Sequence, residues 1–134
     1  MPFYEDRILA TGRSLAYMNS QPGNEFEQAR LKHQLFMSKL RAILLGALIN
    51  EEPVLSEHEC PFGKWIQTFA LKNCSHVPEL KELERIHTDM HRVARTVVRH
   101  FHTKKEEEAA EGMQEIEKMS ERLLVLLSAL SAKC

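Results

Sequence analysis

The chain has 134 residues, a length that suits one domain and leaves no room for a separate catalytic or output module. Hydrophobic residues make up 43% and charged residues 28%, so we expect one buried core and neither a disordered nor a membrane-spanning chain. The net charge of -1 provides no strongly basic face, so nucleic-acid binding is not expected. Only five glycines and five prolines occur, which favours helices over an all-β sandwich.

The N-terminus and the cysteines bear on the cellular compartment. The segment from Met1 to Asp6 contains no basic region followed by an apolar run, so we predict no secretory signal and a cytoplasmic protein. The three cysteines, Cys60, Cys74 and Cys134, are an odd number, which favours ligand or redox chemistry over a disulfide framework. Cys74 lies at a predicted helix end and Cys134 at the chain terminus, so neither is assigned a role.

Apolar residues recur at helical spacing in the first half of the chain. The first predicted helix covers residues 3–20 and is followed by a turn. The second begins after Asn24, a good N-cap, and continues to about Asn50. A loop over residues 51–59 leads into a short third helix, with Cys60 as its N-cap and Pro61 at its first position.

Two further helices are predicted in the second half. The fourth opens at Ser75, with Pro78 in its first turn, and ends near His102. A polar junction at residues 104–108 precedes the fifth, whose narrow apolar seam consists of Met113, Ile116, Leu123, Leu127 and Leu130. The pattern predicts an all-α fold: an up-and-down four-helix bundle with an additional short helix following the Cys60 loop. Residues 1–24 are predicted to form an N-terminal helix and turn, and residues 25–134 are predicted to form the zinc-binding bundle domain.

Three histidines are predicted to point into the core. His33 falls within about 20° of Leu40 and Leu44 around its helix. His87 and His91 are four residues apart, so they share one face of the fourth helix. A single inward histidine is most often a hydrogen-bonded core residue. Three of them in one apolar core are harder to satisfy, because each has two ring nitrogens, and a metal ion would remove that difficulty.

Zinc accepts imidazole nitrogen and thiolate sulfur in a tetrahedron, and an H-x-x-x-H pair on one helix supplies two adjacent corners. We predict His33 as the third ligand. Cys60 is predicted as the fourth, because a helix N-terminus favours an anion and lowers the pKa of a thiol. Gly63 would let the short helix lie close to the bundle and Trp65 would anchor it, although plain packing explains both residues equally well.

These residues resemble the motifs of the chemoreceptor zinc-binding domain family. The stretch from Cys60 to Trp65, CPFGKW, is similar to the family signature C-x-[LF]-G-x-W, with a lone His33 before it and the pair His87 and His91 after it. The resemblance covers roughly residues 25 to 132. It implies one zinc ion (Zn²⁺) per chain, held by three histidines and one cysteine at these positions. Pro61, Ile66 and the leading segment depart from the family pattern, but none of them is a predicted ligand.

The resemblance also implies a function. The family occurs in bacterial chemoreceptors and diguanylate cyclases and as free-standing proteins, so it implies a cytoplasmic signalling module, in chemotaxis or a related pathway, with such a protein as its partner. Two inputs are implied: zinc availability, and redox sensing through oxidation of the zinc-bound Cys60 by hypochlorous acid or related oxidants. The alternative is a structural, zinc-stapled interaction bundle with no sensing role.

The sequence does not predict an enzyme, and it does predict a homodimer. Four protein ligands close the coordination sphere, whereas catalytic zinc keeps a position for water, and Thr88 stands where the H-E-x-x-H motif requires its glutamate. Family members pair through the bundle, which implies a homodimer. Either the seam of the fifth helix or the N-terminal helix would form its interface, unless the seam is used in the chain's own core.

Overall fold

A computed structural model describes residues 22–134, which are helical and contain no strand. The three long helices are α1 (Pro22–Leu44), α5 (Glu79–His102) and α6 (Glu106–Lys133). Between α1 and α5 lie α2 (Glu52–Leu55), α3 (Pro61–Trp65), a π-helical segment (Ile66–Ala70) and α4 (Leu71–Asn73). The all-α prediction is confirmed. The predicted helix at residues 3–20 lies outside the described residues, so the four-helix, up-and-down arrangement stays a prediction.

Helices α5 and α6 pack against each other as an antiparallel pair. Glu79 near the start of α5 pairs with Lys133 at the end of α6, and Gly112 of α6 faces Val97 of α5. The seam of α6 is buried within the chain's own fold; its members are Met113, Ile116, Leu123, Leu127 and Leu130. The seam therefore packs into the chain's own core, as the alternative interpretation expected, and it does not provide a surface for a dimer.

Helix α1 ends at Leu44, six residues before the predicted end at Asn50. Gly46 adopts a φ of 88°, and its N–H donates to Ile43 O while the Ala47 N–H donates to Ala42 O. This pair of bonds is a Schellman cap, which needs a left-handed residue that glycine supplies without steric cost. The apolar periodicity beyond Gly46 is thus not helical, and the side chains of Leu45 and Leu48 are exposed.

The segment between α1 and α5 is more structured than predicted. Residues 51–59, expected as a loop, contain α2, whose Val54 is fully buried. Helix α3 begins at Pro61 with Cys60 as its N-cap, as predicted, and the chain continues helically to Asn73 through the π-helical segment. Helix α5 begins at Glu79, slightly later than predicted, and ends at His102 as predicted.

Cys74 and Cys134 form a disulfide, with their Cα atoms 5.2 Å apart. The bond joins the end of α4 to the end of α6. The odd number of cysteines favoured ligand or redox chemistry over a disulfide, and that expectation is wrong for these two residues. They meet because the antiparallel packing of α5 and α6 returns the C-terminus to the beginning of α5. Cys60 keeps a free, buried thiol.

Within residues 22–134, none of the helices has both the length and the apolar character needed to span a membrane.

Candidate metal centre

Three of the four predicted ligands meet in the interior of the protein. One ligand atom each from Cys60, His87 and His91 lies within 4.8 Å of the other two, and all three residues are buried. The Nε2 atoms of the two histidines are 3.1 Å apart. Zn–N bonds of about 2.0–2.1 Å in a tetrahedron place neighbouring nitrogens about 3.3–3.4 Å apart. The histidine spacing is thus close to that of two ligands on one zinc ion.

The backbone around α3 brings Cys60 to the histidines of α5. Cys60 is extended (φ -78°, ψ 128°) at the N-cap, and its carbonyl accepts the Lys64 N–H at 3.0 Å. A Cβ atom at Gly63 would overlap the carbonyl oxygen of Glu57 and come within 3.0 Å of His87 Cε1. Glycine at this position therefore permits the close approach of α3 to α5.

Trp65 anchors the other side of α3 to α1. Its ring is 3% exposed and lies 5.5 Å from Phe26, 5.7 Å from Phe62 and 5.6 Å from Phe69, measured between ring centroids. Phe62 in turn lies 5.4 Å from the ring of His87. This aromatic cluster excludes water from one side of the Cys–His–His group and fixes the position of α3.

Helix α2 orients His91. The Nδ1 atom of His91 lies 2.7 Å from the carbonyl oxygen of Val54 and donates its proton there. The Nε2 atom is then the nitrogen with a free lone pair, and it is the atom near His87. Metal-binding histidines commonly hold their second nitrogen in this way. Sequence reasoning missed this contact because residues 51–59 were expected to be a loop.

His33 is buried, at 2% exposure, but it is not part of the three-residue group. Its ring lies 5.9 Å from that of Phe62, on the same side of the core as the other ligands. Its Nε2 atom forms a 2.7 Å hydrogen bond with Ser120 Oγ of α6. The spacing of the sequence could have indicated that Ser120 is buried, since it occupies a position between Ile116 and Leu123 on the apolar seam of α6.

Burial keeps the histidines neutral. Desolvation lowers the pKa of His87 to about 3 and that of His33 to about 4, and it also lowers the pKa of His91. Neutral imidazoles have a lone pair available for a metal ion at neutral pH. The ring of each histidine therefore needs no deprotonation to act as a ligand.

Cys60 differs from expectation. Burial raises the pKa of its thiol, and the backbone N–H groups of Gly63 and Phe62 only partly offset that effect. The N–H groups at the helix N-terminus lower the thiol pKa, as predicted, but the loss of solvation outweighs them, so the pKa of the thiol in the protein is raised and not lowered. A thiolate at this position needs a nearby cation. Neutral imidazoles beside a buried thiol form a donor set that suits zinc, so these residues fit the ion that the sequence predicted.

Comparison with protein families gives a match to the chemoreceptor zinc-binding domain over residues 33–98. The matched segment begins at His33 and contains Cys60, His87 and His91. No curated protein and no solved structure gives a significant match to the chain. The family is a zinc-binding signalling domain and not a known catalytic family. The motifs, the buried Cys–His–His group and this match together identify residues 33–98 as a chemoreceptor zinc-binding domain.

Proposed function

We propose that the protein is a zinc-binding regulatory module that holds one zinc ion through Cys60, His87, His91 and His33. The observation that carries the proposal is the buried group of one thiol and two neutral imidazoles within 4.8 Å of one another. When bound, zinc supplies the positive charge that stabilises the Cys60 thiolate. Cys60 and the two α5 histidines then join the start of α3 to α5.

His33 is the proposed fourth ligand. It is a buried imidazole that faces the same aromatic cluster, and it comes from α1, which contributes no other histidine. A site that includes His33 would connect α1, α3 and α5. Four protein ligands also close the coordination sphere, and a closed sphere favours binding over catalysis.

The proposed inputs are zinc availability and oxidation of Cys60. In the oxidation step, the thiolate attacks hypochlorous acid, so that sulfur gains the hydroxyl group as sulfenic acid and chlorine leaves as chloride. Sulfenic acid is a weaker zinc ligand than a thiolate, so α3 would lose its tie to α5. A cavity of about 240 Å³ lined by Gly63, Thr88 and His87 offers small oxidants a route to the edge of the site.

The proposed output is a change in a homodimer or in the contact with a chemoreceptor or diguanylate cyclase. Because the α6 seam is buried in the chain's own core, the dimer element is proposed to lie in residues 1–24. The second candidate function is a structural, zinc-stapled interaction bundle with no sensing role. It is favoured by the small size of the 134-residue chain, since structural zinc contributes directly to the free energy of folding.

Metal analysis of purified protein tests the site. Wild type is expected to contain one zinc ion per chain, and Ala variants at Cys60, His87, His91 and His33 are expected to lose or weaken it. His76→Ala is the matched control, since His76 is exposed in the turn before α5. Wild type without zinc, or equal zinc loss in the control, would refute the proposal.

Zinc removal and oxidation separate a sensor from a staple. A chelator is added while helical content and oligomer mass are followed: global unfolding supports the staple, and a folded but rearranged protein supports the sensor. Mild hypochlorous acid should change the zinc-loaded wild type but not Cys60→Ser. Equal responses of the two proteins would remove Cys60 from the mechanism.

A further inference from the structure

Ser120 is a polar residue at a position where α6 is otherwise apolar. It lies in the seam between Ile116 and Leu123 and is 9% exposed. Among residues whose burial the structure describes, the buried polar ones are His33, His87, His91 and Ser120. Three of these are proposed zinc ligands, and the fourth, Ser120, hydrogen-bonds one of the three across 87 positions of sequence.

A hydrogen bond at one ring nitrogen of a histidine bears on which of its nitrogens can bind a metal ion. Neutral imidazole carries one N–H and one lone pair, so the nitrogen that donates cannot bind a metal ion. His91 follows this pattern, with Nδ1–H donating to Val54 O and Nε2 facing His87. In His33, Nε2 lies 2.7 Å from Ser120 Oγ, and a hydroxyl can either accept a hydrogen bond from that nitrogen or donate one to it. Nδ1 has the free lone pair when Nε2 carries the proton.

We propose that Ser120 is a positioning residue for His33 and thereby links α6 to the zinc site. The inference rests on the proposed function, in which His33 is a zinc ligand. In the zinc-bound site, the Ser120 hydroxyl accepts a hydrogen bond from Nε2–H, which leaves the Nδ1 lone pair for zinc and holds the ring in one orientation. Without the hydroxyl, the Nε2–H group would lie among the rings of Phe36 and Phe62 with no acceptor from α6.

The hydrogen bond between Ser120 and His33 connects α6 to the proposed zinc site, although α6 itself contains no proposed ligand. Through Ser120, a shift of α6 changes the orientation of His33, and zinc binding at His33 restrains α6 in return, since coupling between two equilibria is reciprocal. A second hydrogen bond between the same helices, from Arg30 to Ser128 Oγ at 2.9 Å, is exposed and touches no histidine. Ser128 therefore provides a matched control on the same helix.

Zinc affinity, measured by competition with a chromophoric chelator, tests the inference. Ser120→Ala is expected to weaken zinc binding by about 10- to 100-fold, the usual effect of removing the partner of a ligand histidine. Ser128→Ala is expected to leave the affinity unchanged. In a His33→Ala background, Ser120→Ala is expected to have no further effect. Unchanged or tighter zinc binding by Ser120→Ala, or an equal loss in the His33→Ala background, overturns the inference.

A second pair of variants guards against a general loss of folding in Ser120→Ala. Thr and Val have the same shape, so Ser120→Thr and Ser120→Val perturb packing equally and differ only in the hydroxyl. Ser120→Thr is expected to bind zinc at least about tenfold more tightly than Ser120→Val. Equal affinities of the pair overturn the inference.

The same measurements distinguish failure of the inference from failure of the proposed function. If His33→Ala binds zinc as tightly as wild type, the His33 assignment fails and the inference fails with it. If His33→Ala is weakened but Ser120→Ala is not, only the inference fails. Nitrogen NMR of the zinc-loaded protein adds a direct readout: a proton on His33 Nε2 is expected, and a proton on Nδ1 overturns the inference.

Discussion

The Cys74–Cys134 disulfide should contribute a large part of the free energy of unfolding. It closes a loop with a sequence separation of 60 residues and ties the last turn of α6 to the turn before α5. Cross-linking such a loop lowers the entropy of the unfolded chain by about 14 cal/mol/K, which corresponds to about 4 kcal/mol at 25 °C. The free energy of unfolding of a typical domain is only about 5–15 kcal/mol, so the disulfide is expected to contribute a large fraction of it.

Cys134→Ser isolates this contribution. Cys134 is exposed, so the substitution removes the cross-link with little loss of packing. With an unfolding slope of about 2 kcal/mol per molar urea, the midpoint should fall by about 2 M relative to the oxidised wild type. Zinc is kept saturating in both samples, because bound ligand also raises stability.

Urea unfolding followed by circular dichroism, with and without a thiol reductant, is the assay. Reductant should lower the wild-type midpoint to that of Cys134→Ser and leave the variant unchanged. Thiol titration in denaturant confirms the starting state, with one reactive thiol, Cys60, in the oxidised wild type. Equal midpoints for oxidised wild type and variant would refute the reasoning, and so would an equal effect of reductant on both.

Four other predictions concern the site, the end of α1 and the core. Gly63→Ala should overpack the contact of α3 with α5 at a cost of about 1–3 kcal/mol, lowering zinc affinity about 5- to 150-fold in chelator competition. At Gly46 the φ of 88° would strain an alanine, although an added Cβ atom would meet no neighbour. Gly46→Ala should therefore lower the free energy of unfolding by about 1 kcal/mol and leave zinc affinity unchanged. With zinc removed by a chelator, the free energy of unfolding should be greatest above pH 6.5 and should fall as the pH drops toward 4. The unfolded chain takes up protons that the fold excludes from His33 and His87, whose pKa values are lowered to about 4 and about 3. The slope is about 1.4 kcal/mol per pH unit for each histidine, and urea midpoints that agree at pH 7 and pH 5 would contradict it. Trp65→Ala should cost about 3–5 kcal/mol in urea unfolding and Trp65→Phe less than half of that; a loss below about 1 kcal/mol for the first would show that the aromatic cluster does not hold α3.

Local features of the sequence were sufficient to predict where the long helices lie and which sulfur and imidazole side chains could bind a metal ion. The end of α5 at His102 and the cap at Cys60 follow from nearby residues, and an H-x-x-x-H spacing on a helix places two imidazoles on one face wherever that helix lies. Gly46 shows the limit of this kind of reasoning. The apolar pattern continues beyond it, but the backbone of a left-handed glycine ends the helix.

Relations between distant segments were decided by the tertiary structure. Periodicity shows which side of a helix is apolar, but it does not show which element that side meets. The use of the α6 seam in the core, the pairing of Cys74 with Cys134 and the bond of Ser120 to His33 all depend on how α1, α5 and α6 lie against one another.

The residue types and their spacing on each helix therefore determined that this protein has an all-helical fold and sulfur and imidazole donors for a metal. Packing determined the protonation of those donors. The thiol of Cys60 lies at a helix N-terminus, as its sequence position requires, yet burial raises its pKa. Solvation depends on everything that surrounds an atom in space, and the neighbours of Cys60 in the chain are only a small part of that surrounding.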